Sequence, residues 1–163
     1  MLIGMIIICA VILYSLTQGA PYVPTRRKEA EQALRLMRLP SNALVVDMGA
    51  GDGSFLKIAA EHGYRAAGIE LNPLLYAIAK LRLRRFGGRA RIARGNMWRW
   101  QLPADTAGVF LFTAGPFAER MARHLQSEQK RLSRELVVVS LGFELPGLEP
   151  VGRSSACIKY ILK

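Results

Sequence analysis

Acidic residues, cysteines and histidines are all scarce in this chain. Asp and Glu number 12 against 23 Lys and Arg, a formal charge of +11 that predicts attraction to an anionic partner, either nucleic acid or an acidic membrane surface. The two cysteines, Cys9 and Cys157, stand in apolar surroundings at opposite ends of the sequence, without disulfide or metal-ligand spacing. A disulfide scaffold is thereby excluded, and no metal is expected. Neither of the two histidines, His62 and His124, falls in a turn expected to carry chemistry; His62 reads as the last residue of a helix before Gly63, favoured there by the helix dipole. Internal repeats and low-complexity tracts are missing, and 163 residues hold one sizeable core and an appendage but not two domains.

The first 25 residues lack charge altogether. The run "MLIGMIIICAVILYSL", continued to Ala20, is long enough as a helix to span roughly 30 Å, about one hydrocarbon core. A cleaved signal peptide would need a basic start and small residues before the cut, whereas Gln18 stands where a small residue belongs. The reading is an uncleaved single-pass anchor over 1–20, the alternative being a helix buried in protein. The basic cluster Arg26 to Lys28 follows at once, so the positive-inside rule places the remainder on the cytoplasmic side.

"PYVPT", Pro21 to Thr25, is a proline elbow that must stop the anchor helix, because each proline fixes its own φ and pushes its predecessor toward extended geometry. Thr25 is the expected N-cap of a basic amphipathic helix with Ala30, Ala33, Leu34 and Met37 on one face, ended by Pro40. From residue 41 to 163, short apolar runs alternate with amphipathic ones, the mark of a mostly parallel sheet covered by helices on both faces. Six strands are expected: Ala43–Met48, Ala66–Glu70, Ala90–Arg94, Gly108–Thr113, Glu135–Leu141 and Ala156–Leu162. Helices are expected at Ser54–His62, Pro73–Phe86 and Phe117–Ser133, the last with a possible break. The organisation read from the chain is an anchor (1–20), an elbow with its helix (21–40) and one α/β domain (41–163).

In such a sheet, ligands bind beyond the carboxyl ends of the strands, near the turn after the first one. That turn is "DMGAGDG". Gly49, Gly51 and Gly53 let the backbone approach a ligand closely, and the next helix offers its N-terminal amides. Asp47 ends the strand, where a carboxylate would repel a dinucleotide's pyrophosphate but suits a ligand bearing ammonium and sulfonium groups. S-adenosylmethionine carries both. Glu70 ends the second strand, where an acid can accept from ribose hydroxyls. Asp52 reads either as a solvated turn residue or as a group reaching the cofactor's amino-acid portion. After the third strand, "GNMWRW" offers Asn96 and Met97 to an adenine ring, with core or surface aromatics as the plainer reading. After the fourth, "FTAGPF" has neither Asp nor Asn, which argues against methylation of a base's amino group.

These motifs together resemble the membrane-anchored, seven-strand-type protein lysine methyltransferases, class I S-adenosylmethionine-dependent enzymes whose mitochondrial members modify the ATP synthase c subunit or the adenine nucleotide translocase. The similar residues run in order: the anchor, "PYVPT", "VVDMGAGDG", "GIELNP" at Gly68 to Pro73, "NMW" and "FTAGPF". Asn96 stands where the family usually has an aspartate. The resemblance implies a Rossmann-like sheet of six to seven strands and transfer of a methyl group to a protein lysine. It implies cofactor contacts by Asp47, Gly49, Gly51, Asp52, Gly53, Glu70, Leu71, Asn72, Asn96 and Met97. It further implies acceptor positioning by Thr113, Gly115 and Pro116 without a dedicated base, and substrate contacts at the elbow by Tyr22, Pro24 and Thr25. RNA or small-molecule methylation, or cofactor binding without turnover, are the competing functions. The tract Lys80 to Arg94, seven cations and no acid, reads as a docking surface for anionic lipid in preference to RNA, since Phe86 is its only stacking aromatic. Its plainer reading is a solvated helix face.

Overall fold

Helix α1 (Arg27–Met37) starts one residue later than a Thr25 cap would place it. In the computed structural model, which describes residues 24–113, 115 and 117–163, the N-cap is the extended residue Arg26. Its N–H donates to the Glu29 carboxylate at 3.0 Å. A carboxylate in the first turn both satisfies an orphan donor and complements the helix dipole, so it displaces the weaker hydroxyl cap. The helix ends in left-handed Arg38, ahead of Pro40. The anchor expected over 1–20, together with Tyr22, lies outside the described residues; among those described, no helix is long and apolar enough to cross a membrane.

The chain then alternates as read: β1 (Leu44–Met48), α2 (Ser54–Glu61), β2 (Arg65–Glu70), α3 (Pro73–Leu83), β3 (Ala90–Arg94), β4 (Thr106–Leu111), α4 (Phe117–Leu132), β5 (Leu136–Leu141), β6 (Gly152–Ser154) and β7 (Cys157–Leu162). The strands form one seven-stranded sheet of order β3-β2-β1-β4-β5-β7-β6. β1 to β5 are parallel, and β7 runs antiparallel to both β5 and β6. Because β2 and β4 flank β1, the chain turns one way and then the other from it, and the turn after β1 sits at the topological switch point.

Two cores lie on the two faces. Ala30, Ala33, Leu34 and Met37 of α1 join Phe55, Leu56 and Ala59 of α2 and Leu83 of α3 on one face. Met121, Ala122 and Leu125 of α4 pack with Leu44, Val46 and Leu102 on the other. Burying Leu34 and Met37 contributes about 1.5–3 kcal/mol each, so α1 is part of the same folding unit as the sheet.

The departures from expectation are local. β4 begins and ends two residues early, because a turn in which the Thr106 N–H and hydroxyl both donate to the Pro103 carbonyl starts the strand. α3 stops at Leu83 instead of Phe86, giving way to 3-10 turns over Arg84–Arg89 in which Gly87 has φ 56° and ψ −135°, outside any helix. α4 runs unbroken. The seventh strand is the three-residue β6, too short and too polar to show an alternating pattern.

Candidate active site

Three carboxylates converge on the glycine turn, and they are not equivalent. Asp47 is the penultimate residue of β1 and is buried. Burial first, then the neighbouring charges of Glu70 and Asp52, push its carboxyl well above the ordinary 3.8. Glu70 closes β2 and uses both oxygens as a clamp: Oε2 accepts from the Gly51 N–H at 2.8 Å, and Oε1 from the Asn72 N–H at 2.7 Å. Asn72 caps α3, its Oδ1 accepting from the N–H groups of Leu74 (2.9 Å) and Leu75 (3.3 Å). The glycine turn and the start of α3, with half-buried Leu71 between Glu70 and its cap, are therefore held together by one side chain.

Asp52 is not a solvated turn residue. It accepts from the Ser54 N–H at 3.1 Å and forms a salt bridge with Arg82, which also donates to the Ser54 hydroxyl at 2.6 Å. Burial alone would raise its pKa, but the bonds from Ser54 and Arg82 outweigh it and hold the carboxyl below its ordinary range. Arg82 belongs to the tract read from sequence as a docking surface; its position 30 residues from Asp52 gave no local signal of the pairing.

The turn itself is shaped by close approach. The amides of Gly49 and Ala50 donate to the Ile69 carbonyl at 3.1 and 2.9 Å, which draws the turn against β2. Gly53 precedes α2 with φ +75°, and a Cβ there would meet Ala79 of α3 at 3.0 Å. Opposite Gly49 stands the sulfur of Met97, 3.9 Å from where a Cβ would be. Asn96 caps the 3-10 turn Met97–Arg99, accepting from the Trp98 N–H at 2.9 Å. Asp47 and Glu70 thus stand at the carboxyl ends of β1 and β2, and the Asn96–Met97 pair just past that of the adjacent β3.

Around Trp98 lies a cluster that the sequence did not reveal. The Arg120 guanidinium sits over its ring at 4.2 Å, while Phe117 and His124 approach at 6.3 Å. These three residues share a face of α4, so the loop after β3 is gripped by the helix that follows the loop after β4. The His124 imidazole is held below its ordinary pKa, by burial first and by Arg120 in addition, against the opposing pull of Glu128. Its Nε2 is buried without a hydrogen-bond partner among the described residues. The only signal available beforehand was the helical spacing of 117, 120 and 124.

Of the expected acceptor residues, Thr113 is buried just past β4 and Gly115 is exposed with φ 56°; Pro116 lies outside the described residues. Nearby, Phe112 meets the exposed Phe143, from the loop after β5, edge to face at 5.7 Å. Pro24 is exposed and Thr25 half-buried in the extended approach to α1. Among the described residues no cluster of metal-ligating side chains occurs. What the arrangement offers, at the carboxyl ends of β1, β2 and β3, is a buried carboxyl for a cationic group, a second carboxylate at hydroxyl-accepting position and a thioether for an apolar ring.

Residues 47–152 match the ANTKMT methyltransferase domain family. An adenine nucleotide translocase lysine N-methyltransferase of Mus musculus is 35% identical over 80% of this chain and 56% of its own length. A protein-lysine N-methyltransferase of Saccharolobus islandicus is 31% identical, over 80% of this chain and 81% of its own. The chain spans about half the length of the other curated relatives it matches. Among solved structures, an RNA methyltransferase from Salinibacter ruber in complex with S-adenosyl-L-homocysteine superposes with a TM-score of 0.71 at 21% identity, covering 86% of this chain and 92% of that one. At that identity the likeness speaks for the fold alone.

Proposed function

The chain belongs to the ANTKMT methyltransferase domain family, and from that premise we propose that it transfers a methyl group from S-adenosylmethionine to a lysine amine of a protein. The observation that carries the cofactor's identity is Asp47: a buried carboxyl at the end of β1, flanked by two more acids, is a poor neighbour for phosphate and a good one for an ammonium. Glu70 would accept from the ribose hydroxyls, Asn96 from the adenine amino group, and Met97 would lie against the ring. The glycines and Leu71, Asn72 and Asp52 shape and brace that site. The lysine reading is supported by the relatives named above, which are protein-lysine methyltransferases.

When bound, the cofactor supplies an electrophilic methyl group on a cationic sulfur. The chain's part is positioning and exclusion of water, since a neutral amine is already a good nucleophile. The acceptor must arrive deprotonated, and an apolar approach past Phe112, Thr113 and Phe143 would lower its pKa by desolvation. Thr113, Gly115 and Pro116 would position it. The reading extends to a single-pass anchor over 1–20 with the catalytic domain on the cytoplasmic side, to an acceptor protein in or at the membrane, and to an anionic lipid surface as a second partner. Its support is the apolar run, the elbow and the basic balance of the sequence.

The test is incubation of the full chain with cofactor carrying a labelled methyl group and host membranes. Label on lysine in protein is expected. Nuclease-sensitive or solvent-extractable label would replace the acceptor with RNA or a small molecule, and saturable cofactor binding without label would reduce the protein to a binding module.

A further inference from the structure

Helix α3 is apolar on both sides. One side packs inward through Ala79 and Leu83; the other carries Leu74, Ile78 and Leu81, which are 66, 40 and 73% exposed. Positions 74, 78 and 81 follow the i, i+4, i+7 rule and make one stripe along the helix. Single exposed apolar residues are ordinary, but three aligned on one helix and left open by the described residues signal a covered surface.

Charge identifies the cover. Arg84 flanks the stripe, Lys80 lies further round the same side with its ammonium 5.7 Å over the Tyr76 ring, and Arg89 and Arg91 continue the positive surface through the 3-10 turns into the edge strand β3; all four are exposed. From Leu71 to Ala104 the sequence contains no acid, and among the described residues none of the four forms a salt bridge. An apolar stripe beside a net-positive border, with Arg91 acting on the Asp105 carboxylate beyond it, is the composition of a helix that lies in a headgroup layer, apolar face down and cations at the phosphates. A protein partner would need acids facing this border and apolar groups facing the stripe; an anionic bilayer supplies both without a matched shape.

We propose that α3 is a second membrane contact, docking flat on anionic phospholipid through Leu74, Ile78 and Leu81. It rests on the membrane part of the reading above and adds a geometric consequence. The cap of α3 is bonded to Glu70, so a bilayer lying along this helix reaches the rim of the cofactor cleft. An acceptor lysine would then be met at headgroup level.

The test uses the full chain in vesicles of brominated phosphatidylcholine, with or without phosphatidylglycerol. Leu81→Trp is largely solvent-exposed and leaves the core untouched. In vesicles with phosphatidylglycerol it is expected to lose more emission than the unsubstituted chain, whose own Trp98 and Trp100 set the background, and to lose less when phosphatidylglycerol is omitted. Loss no greater than that background overturns the proposal, as does equal loss in both lipid mixtures. An emission change on adding RNA that exceeds the change with anionic vesicles overturns it in favour of nucleic acid. Cofactor binding by calorimetry on the same samples is read separately: its failure would count against the cleft, not against the docking helix.

Discussion

Asp47 is the residue whose environment makes the strongest demand. Its folded pKa is raised above 3.8, so the native state holds a proton more tightly than the unfolded chain. Stability associated with that proton is complete below the unfolded value and is lost as pH rises through the folded one. Asp47→Asn removes the titration: the variant without cofactor should unfold at higher urea than the parent at neutral pH, with the difference vanishing in acid. The same variant should bind S-adenosylmethionine on the order of 10–100-fold more weakly, by calorimetry, because a charge-assisted bond is lost. In the parent, affinity should climb as pH rises through the raised pKa, since the ammonium favours the carboxylate. A variant that is less stable at neutral pH would show that burial there is not penalised. Glu70 invites a different substitution: Glu70→Gln leaves one amide nitrogen facing a backbone N–H, of Gly51 or Asn72, and should cost about 1–3 kcal/mol in chemical unfolding.

At the scale of elements, the cleft depends on how closely α2 and α3 approach. Gly53→Ala would place a methyl 3.0 Å from Ala79 in a left-handed conformation. The combined strain and overpacking should destabilise by roughly 2–4 kcal/mol, read as a shift in urea midpoint at constant slope. On the opposite face, buried Glu128 accepts from the Leu102 N–H at 2.6 Å and pairs with Arg131, which donates to the Leu102 carbonyl at 2.6 Å. α4 is thereby bound to the segment leading out of the Trp98 cluster. Burial would raise the Glu128 pKa, but the bonds from Arg131 and Leu102 bring it below its ordinary 4.5. Stability from this group is present above the unfolded value and is lost as pH falls through the folded one. Glu128→Gln should therefore lower stability by about 1–3 kcal/mol at neutral pH, and the gap to the parent should close on acidification.

For the molecule as a whole, α1 and the sheet are one unit although the sequence divides them at Pro40. Ala30, Ala33, Leu34 and Met37 vanish into the core beneath β5 and β7, and the Lys159 ammonium donates to the Met37 carbonyl at 3.3 Å. Removing residues 1–20 should leave the thermal transition of the remainder intact, whereas removing 1–40 should abolish a cooperative transition followed by circular dichroism.

The alternation of strands and helices, the glycine turn and the acids at the ends of β1 and β2 were legible in the residue order, because periodicity and strand-end position are properties of neighbours in the chain. Residues that act across it were not. Asp52 finds Arg82 from 30 positions away, Trp98 meets Arg120 and His124 only when α4 folds over the loop after β3, and β6 exists only because β7 is there to pair with. The sequence by itself determined an α/β sheet with a nucleoside-type cleft, since hydrophobic period and turn chemistry are local. Tertiary structure alone decided which charges are neutralised, which carboxyl is buried and which apolar stripe stays open, because burial and Coulomb energy depend on distance in space.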